Sequence, residues 1–295
     1  MNSRQLYYAV LLSRHRSFSQ VAAMLSITQP ALSKQILALE EELGVKLFDR
    51  STTPLSLTPA GEHFVHEARE ILYREEQLKR SMEDFHSDLR SRLTIGISPF
   101  RSLYFIPEII CRLKEEFPGL QVVLKEANSA QLNQGVQEGN FDFAIMHLPV
   151  DELQLDAVPM KPEPLVLAVP NKLVPLMEEP WEGPVSLAQC EKLPFIAVSS
   201  RQELRQLFDR LCIHAGIYPE ISVEVVGVAT AWAMARAGLG ATLLPLGFME
   251  NDHYREGITI FPLAHTATNR QPAVITRKGQ FLSRYARRAI ELLTE

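Results

Sequence analysis

Six side chains stand together at the start of a helical pattern between residues 28 and 35: Thr28, Gln29, Pro30, Ser33, Lys34 and Gln35. Amide, hydroxyl and ammonium groups of this reach suit base edges and phosphate oxygens in the major groove of duplex DNA. Thr28 falls where an N-cap belongs, and Pro30 lies in the first turn, where a missing N–H costs nothing. Behind these residues Ala31, Leu32, Ile36, Leu39 and Leu43 recur at helical spacing, and Gly44 ends the run. A shorter apolar run, Val21, Ala22 and Leu25, stops at Ser26-Ile27 just upstream. The pair reads as a helix-turn-helix whose second helix is offered to the groove. Gln29 and Ser33 are assigned to base edges, Lys34 to a phosphate and Gln35 to either. The competing reading of each is a plain solvated helix face.

The elements that must position these groups follow from the flanking residues. A first helix capped by Ser3 and running from Arg4 to about Ser13 would bury Leu6, Ala9, Val10 and Leu12 and brace the other two from behind. Lys46 to Leu57 reads as a two-stranded wing with Thr53-Pro54 in its turn, and Arg50 on it is a candidate for phosphate or minor-groove contact. Thr58-Pro59 then repeats the cap-and-proline signature and opens a long helix. On that helix Phe64, Ala68, Ile71, Leu78, Met82, Phe85 and Leu89 form a heptad seam interrupted by Glu75, with flanks rich in Glu, Arg and Lys. One narrow apolar stripe on a long polar helix predicts a coiled coil that makes a homodimer; the alternative is a helix packed on its own domain.

From Arg92 the period changes. Strands are expected at 93–98, 120–127, 141–146, 165–169, 195–198, 222–226, 241–244, 259–261 and 273–277. Helices are expected at about 103–117, 131–138 and 280–293. This alternation indicates an α/β domain with mostly parallel sheets.

Composition sets the outer bounds. At 46% hydrophobic and 22% charged residues, the chain is an ordinary globular protein long enough for two or three compact units. No apolar run approaches the ~20 residues that span a bilayer, and the start has no signal-peptide pattern, so no membrane partner and a cytoplasmic location are expected. The net charge of -5 argues against a nucleic-acid partner until its distribution is considered. Over the first sixty residues Arg4, Arg14, Arg16, Lys34, Lys46 and Arg50 face Glu40, Glu41, Glu42 and Asp49, which leaves +2. So small an excess needs dimerisation to build a useful footprint on DNA.

The run Phe18 to Gly44, then Val45-Lys-Leu-Phe-Asp-Arg50, then Leu57-Thr-Pro-Ala-Gly61, resembles the amino-terminal domain of LysR-type transcriptional regulators. Phe117-Pro-Gly-Leu120, Gly139-Asn-Phe-Asp-Phe-Ala-Ile145 and Ala237-Gly-Leu-Gly-Ala-Thr-Leu-Leu-Pro245 resemble that family's effector domain. The resemblance implies a winged helix-turn-helix at 1–58, a linker and dimerisation helix at 59–91, and a two-lobed periplasmic-binding-protein-like effector domain at 92–295. Lobe I would comprise 92–162 and 268–295, lobe II 163–267, with crossovers near 162–164 and 265–271. It also implies a homodimer, a homotetramer through the effector domains, and a promoter-binding regulator modulated by a small-molecule effector.

Following the family pattern, the effector would meet Ser98, Pro99, Phe100, Arg101, Ser129 and His147 of lobe I and Ser199, Ser200, Arg201, Val228 and Thr230 of lobe II. Arg101 and Arg201 facing each other would clamp a small organic anion bidentately. Either arginine is equally readable as a surface residue, and His147 as a satisfied core histidine. One departure stands out: where many relatives carry a second basic wing residue, this chain has Ser51-Thr-Thr-Pro54, so the wing should add less salt-dependent affinity.

Chemistry of other kinds finds little support. No nucleophile elbow, phosphate loop or dinucleotide fingerprint is present, so neither an enzyme nor a cofactor is expected. His63, His66 and Glu67 lack a convergent third metal ligand. Cys111, Cys190 and Cys212 form no C-x-x-C pair and read as buried small hydrophobes; some members of the resembled family sense oxidants through a cysteine pair, for which Cys190 and Cys212 would be the candidates.

Overall fold

A computed structural model describes residues 1–83, 92–179, 183–200, 202–249, 256–264 and 271–295. The chain divides into two compact units, residues 1–87 and 88–295. Among the described residues no helix is long and apolar enough to cross a membrane.

The first unit holds α1 (Ser3–His15), α2 (Phe18–Met24), α3 (Gln29–Leu43), β1 (Phe48–Asp49), β2 (Ser56–Leu57) and α4 (Pro59–Glu83). The cap of α1 is Asn2, not Ser3. Asn2 accepts from the Gln5 amide while the Gln5 side chain accepts from the Asn2 amide, a reciprocal box that Ser3 cannot form. Thr28 caps α3 through the Ala31 amide, and Gly44 ends it in a left-handed conformation, φ 69°. Strands β1 and β2 pair antiparallel as the wing, and Thr58 caps α4 through the Gly61 amide. Leu12, Val21, Leu32, Ile36, Leu39 and Leu47 form the core.

Helix α4 presents two apolar faces rather than one. Ala68, Val65, Tyr73 and Gln77 are buried within the unit, where α4 packs along α1, and Phe64 joins the core. Ile71, Leu78 and Met82 remain exposed. The amino-terminal part of the expected seam is thus consumed by its own domain, and Phe85 and Leu89 lie outside the described residues.

The second unit contains two sheet systems. The first is five-stranded, β4-β3-β5-β12-β6, from β3 (Arg92–Ile97), β4 (Gln121–Glu126), β5 (Phe143–His147), β6 (Leu155–Pro159) and β12 (Pro272–Arg277). Helices α5 (Pro99–Ser102), α6 (Ile106–Glu116), α7 (Ser129–Gln137) and α10 (Arg284–Thr294) accompany it. The second system joins β7 (Leu165–Pro170), β10 (Thr242–Pro245) and β11 (Ile258–Pro262) as β10-β7-β11, with β8 (Phe195–Val198) and β9 (Ile221–Val225) as a pair. A bridge from Phe195 to Ala241 links the two pieces. Helices α8 (Glu203–Ala215) and α9 (Val228–Arg236) belong here, and α8, α9 and these strands share one core.

Among the described residues of this unit four of the seven ladders are antiparallel, so the sheets are not mostly parallel. Two of the four arise from the connectivity, since β12 returns to the first sheet from the second and enters between β5 and β6 in the opposite sense; the other two pair β7 with β10 and β11. The backbone of Met160 donates to Pro272, tying the outgoing segment to the returning one. Most of the second expected crossover lies outside the described residues.

Candidate nucleic-acid interface and effector cleft

Each polar residue at the start of α3 owes its position to the burial of the helix's other face. Leu32, Ile36 and Leu39 are fully buried, which turns Gln29, Pro30, Lys34 and Gln35 to solvent and leaves Ser33 half-buried at the edge. Thr28 is exposed at the helix start.

Arg50 is held on three sides. Its Nη1 donates to Ser33 Oγ at 3.1 Å, its Nη2 lies 3.5 Å from Glu40 Oε2, and its guanidinium sits 5.1 Å above the Phe18 ring. Glu40 is the residue that sequence reasoning missed. Only 2% exposed, it accepts from the amides of Leu47 at 2.8 Å and Phe48 at 3.1 Å, and Lys46 approaches to 3.5 Å. One carboxylate therefore ties α3 to the first wing strand through Oε1 and pairs with two wing cations, both 3.5 Å from Oε2. Its signal was its phase: Glu40 stands four residues after Ile36 and eight after Leu32, on the buried stripe.

In the second unit, Arg101 and His147 come together around a carboxylate no motif announced. Arg101 Nη2 lies 3.2 Å from Glu163 Oε2, His147 Nε2 lies 3.3 Å from the same atom, and the Tyr104 hydroxyl donates to Oε1 of Glu163. His147 Nδ1 lies 3.3 Å from Glu203 Oε2, at the start of α8. Arg101 also donates to Ser98 Oγ at 3.4 Å, while its buried Nε has no hydrogen-bond partner among the described residues. Burial raises the Glu163 pKa, but the bond from His147, the charge of Arg101 and the bond from Tyr104 outweigh it and hold the carboxyl at about 2.

This arrangement changes the expected clamp. A guanidinium buried this deeply needs a counter-charge, and the chain supplies one internally. Arg201 lies outside the described residues. Phe100 stacks against Phe248 at 4.6 Å and contacts Tyr104 at 5.5 Å, so aromatic rings from the two sheet systems meet beside the ionic cluster. Pro99 opens α5, and Ser129 follows Asn128, the cap of α7. Ser199, Ser200, Val228 and Thr230 lie at the starts of α8 and α9 or the loops before them, and with Ser129 they stand outside the bonded cluster. Val228 is buried and Thr230 exposed.

Cys190 and Cys212 are buried, and burial pushes both thiols up to about 12; Cys111 is exposed.

Residues 3–62 match the model of the bacterial regulatory helix-turn-helix proteins of the lysR family, and residues 86–295 match the LysR substrate binding domain. The chain is 31% identical to the DNA-binding transcriptional dual regulator OxyR of Escherichia coli K12, over 97% of this chain and 92% of that protein. It is 29% identical to the HTH-type transcriptional regulator YcgK of Bacillus subtilis 168, over 100% of this chain and 94% of that protein. Among solved structures, a full-length OxyR variant from Pseudomonas aeruginosa aligns with TM-score 0.70 at 26% identity, covering 100% of this chain and 93% of that one. Full-length CbnR in complex with its target DNA shares the fold, with TM-score 0.63 at 21% identity and 99% coverage of both chains.

Proposed function

Because the chain belongs to the LysR family of DNA-binding transcriptional regulators with an effector-binding domain, we propose that Thr28, Gln29, Pro30, Ser33, Lys34, Gln35 and Arg50 form its promoter contact. The observation that carries this reading is the orientation of α3, whose buried stripe leaves its polar amino-terminal turns exposed. Gln29 and Ser33 meet base edges; Lys34 and the helix amino terminus meet phosphates. Residues 1–58 act as the DNA-binding domain, 59–91 as the dimerisation segment and 92–295 as the effector domain, divided into the lobes given above. Dimerisation uses the exposed Ile71, Leu78 and Met82, effector domains pair dimers into a tetramer, and the protein acts in the cytoplasm.

The test is fluorescence anisotropy on promoter duplex across a salt series. Lys34→Ala should weaken all sequences and reduce the salt slope by about one, whereas Gln29→Ala should weaken the preferred site far more than a scrambled one. Equal loss on both duplexes with Gln29→Ala would remove it from base reading.

For the effector, a small organic anion remains the reading that Arg101 favours. Its guanidinium already holds a carboxylate at 3.2 Å, and its Nε offers a further donor. An anionic effector would exchange with Glu163 and release the tie between His147 and the two carboxylates. By linkage, effector and DNA must then alter each other's affinity by the same factor. Thermal-shift screening of organic acids against neutral metabolites, with wild type and Arg101→Ala, decides it. Stabilisation by neutral compounds alone, or shifts indifferent to Arg101, ends the anion reading. Several relatives carry the name hydrogen peroxide-inducible genes activator. For this chain peroxide sensing through Cys190 and Cys212 is disfavoured, since thiols raised to about 12 hold almost no reactive thiolate.

A further inference from the structure

A serine hydroxyl brings one donor and two acceptor sites to a base edge, and on its own it bonds donors and acceptors alike. Ser33 is not on its own. Arg50 Nη1 donates to its Oγ at 3.1 Å, and the hydroxyl proton bonds nothing among the described residues. Two further contacts bear on the arginine: Glu40 Oε2 lies 3.5 Å from its other terminal nitrogen as an ion pair, and the Phe18 ring lies beneath the guanidinium. Glu40 is itself fixed by two backbone amides, so the chain of restraint runs from the buried wing strand to the exposed edge of the recognition helix.

We propose that Arg50 is a specificity-determining positioning residue: by filling one of the two acceptor sites of Ser33 it biases that hydroxyl toward donating. Ser33 then favours a base that presents a major-groove acceptor on the strand it touches, guanine or adenine N7, guanine O6 or thymine O4, and disfavours cytosine, whose exposed group there is the N4 donor. The inference rests on the proposed placement of α3 in the groove. It goes beyond that placement, because it assigns Arg50 a part in sequence reading that phosphate contact would not give it.

Selection from randomised duplexes with the full-length protein tests this. The variants are Ser33→Ala, Arg50→Ala, Arg50→Lys and the Ser33→Ala/Arg50→Ala double. Wild type should disfavour cytosine about tenfold at one position of the site. Ser33→Ala should erase that preference while the other positions keep theirs. Arg50→Ala should erase the same preference, and the double variant should add nothing further at that position. Arg50→Lys keeps the charge without the planar fork, so it should retain the salt dependence yet lose the discrimination. Arg50→Ala that weakens every sequence alike, with the preference at the Ser33 position intact, overturns the proposal and leaves α3 in the groove. Preference for cytosine at that position overturns it as well. No enrichment of any sequence by wild type overturns both the proposal and the promoter contact it rests on.

Discussion

Replacing Glu163 by glutamine keeps the shape of the side chain and removes the charge on which Arg101 and His147 converge. Two routes give the size of the effect. The carboxyl titrates at about 2 in the folded protein against 4.5 ordinarily, and that difference corresponds to about 3 kcal/mol at neutral pH. Independently, removing one partner of a buried ion pair costs roughly 3–5 kcal/mol because the other charge is stranded. For a unit the size of residues 88–295, a loss of this order lowers the midpoint by roughly 6–12 °C.

The sign of the pH dependence is fixed by the direction of the shift. A carboxyl whose folded pKa is depressed contributes stability that is fully present above its unfolded pKa. That contribution fades as pH falls from 4.5 toward 2. The gap between wild type and Glu163→Gln should therefore be constant from pH 6 to 8 and shrink to about 1 kcal/mol by pH 3. Urea unfolding followed by tryptophan fluorescence is a suitable readout, since Trp232 is buried in the second unit and residues 1–87 contain no tryptophan. A gap below about 1 kcal/mol at pH 7, or one that does not shrink in acid, would refute the argument that this carboxylate is the counter-charge of Arg101. Truncation to Glu163→Ala adds a sharper arm: formate or acetate should restore part of the lost stability by refilling the site, and chloride should do so less well.

Other consequences follow from the same geometry. Gly61→Ala should destabilise the first unit by 2 kcal/mol or more (order of magnitude) in thermal unfolding, because a Cβ there would stand 1.9 Å from the Leu47 carbonyl oxygen, a backbone atom that cannot step aside. Leu78→Glu should shift the oligomer toward smaller species in analytical ultracentrifugation, whereas Ala68→Ser, buried within its own unit, should act on stability first. Thiol titration of the native protein should show one fast equivalent, Cys111, with Cys190 and Cys212 reacting only on unfolding; two or more fast equivalents would contradict the burial that raises them to about 12.

What could be read in advance was local. Thr28 with Pro30, Gly44, and Thr58 with Pro59 declare helix ends because a cap is decided within one turn of chain. The buried stripe of α3 was equally plain, and with it the exposed polar face. Pairings between distant segments were not. Glu163 is 62 residues from Arg101, and no periodicity links them. Strand β6 escaped notice because its burial does not alternate: Leu155 is buried and the residues after it are largely exposed. The heptad on α4 was real as a pattern, yet Ala68 and Phe64 turned inward because the first unit offers that side of the helix apolar partners of its own.

Both candidate sites share a device that charge counting obscures. In each, a buried carboxylate is enclosed by cations that a sequence reader would spend on an external ligand: Glu40 against Lys46 and Arg50, Glu163 against Arg101. Internal pairing lowers the electrostatic reach of those cations, since a guanidinium beside a carboxylate has less to gain from a phosphate or an organic acid. It adds fixed geometry, because the paired groups can be aimed. On the proposed DNA side, Lys34 is left as the cation of α3 outside the Glu40 cluster, and discrimination would shift onto oriented donors such as Ser33. On the proposed effector side, an entering acid would be weighed against Glu163 rather than against water, and the site would reward ligands that also satisfy Nε of Arg101, which has no hydrogen-bond partner among the described residues. If both proposals hold, selectivity rests on groups fixed within the chain, an aimed donor at Ser33 and a resident carboxylate at Glu163, so weak net charge and specific recognition would be compatible.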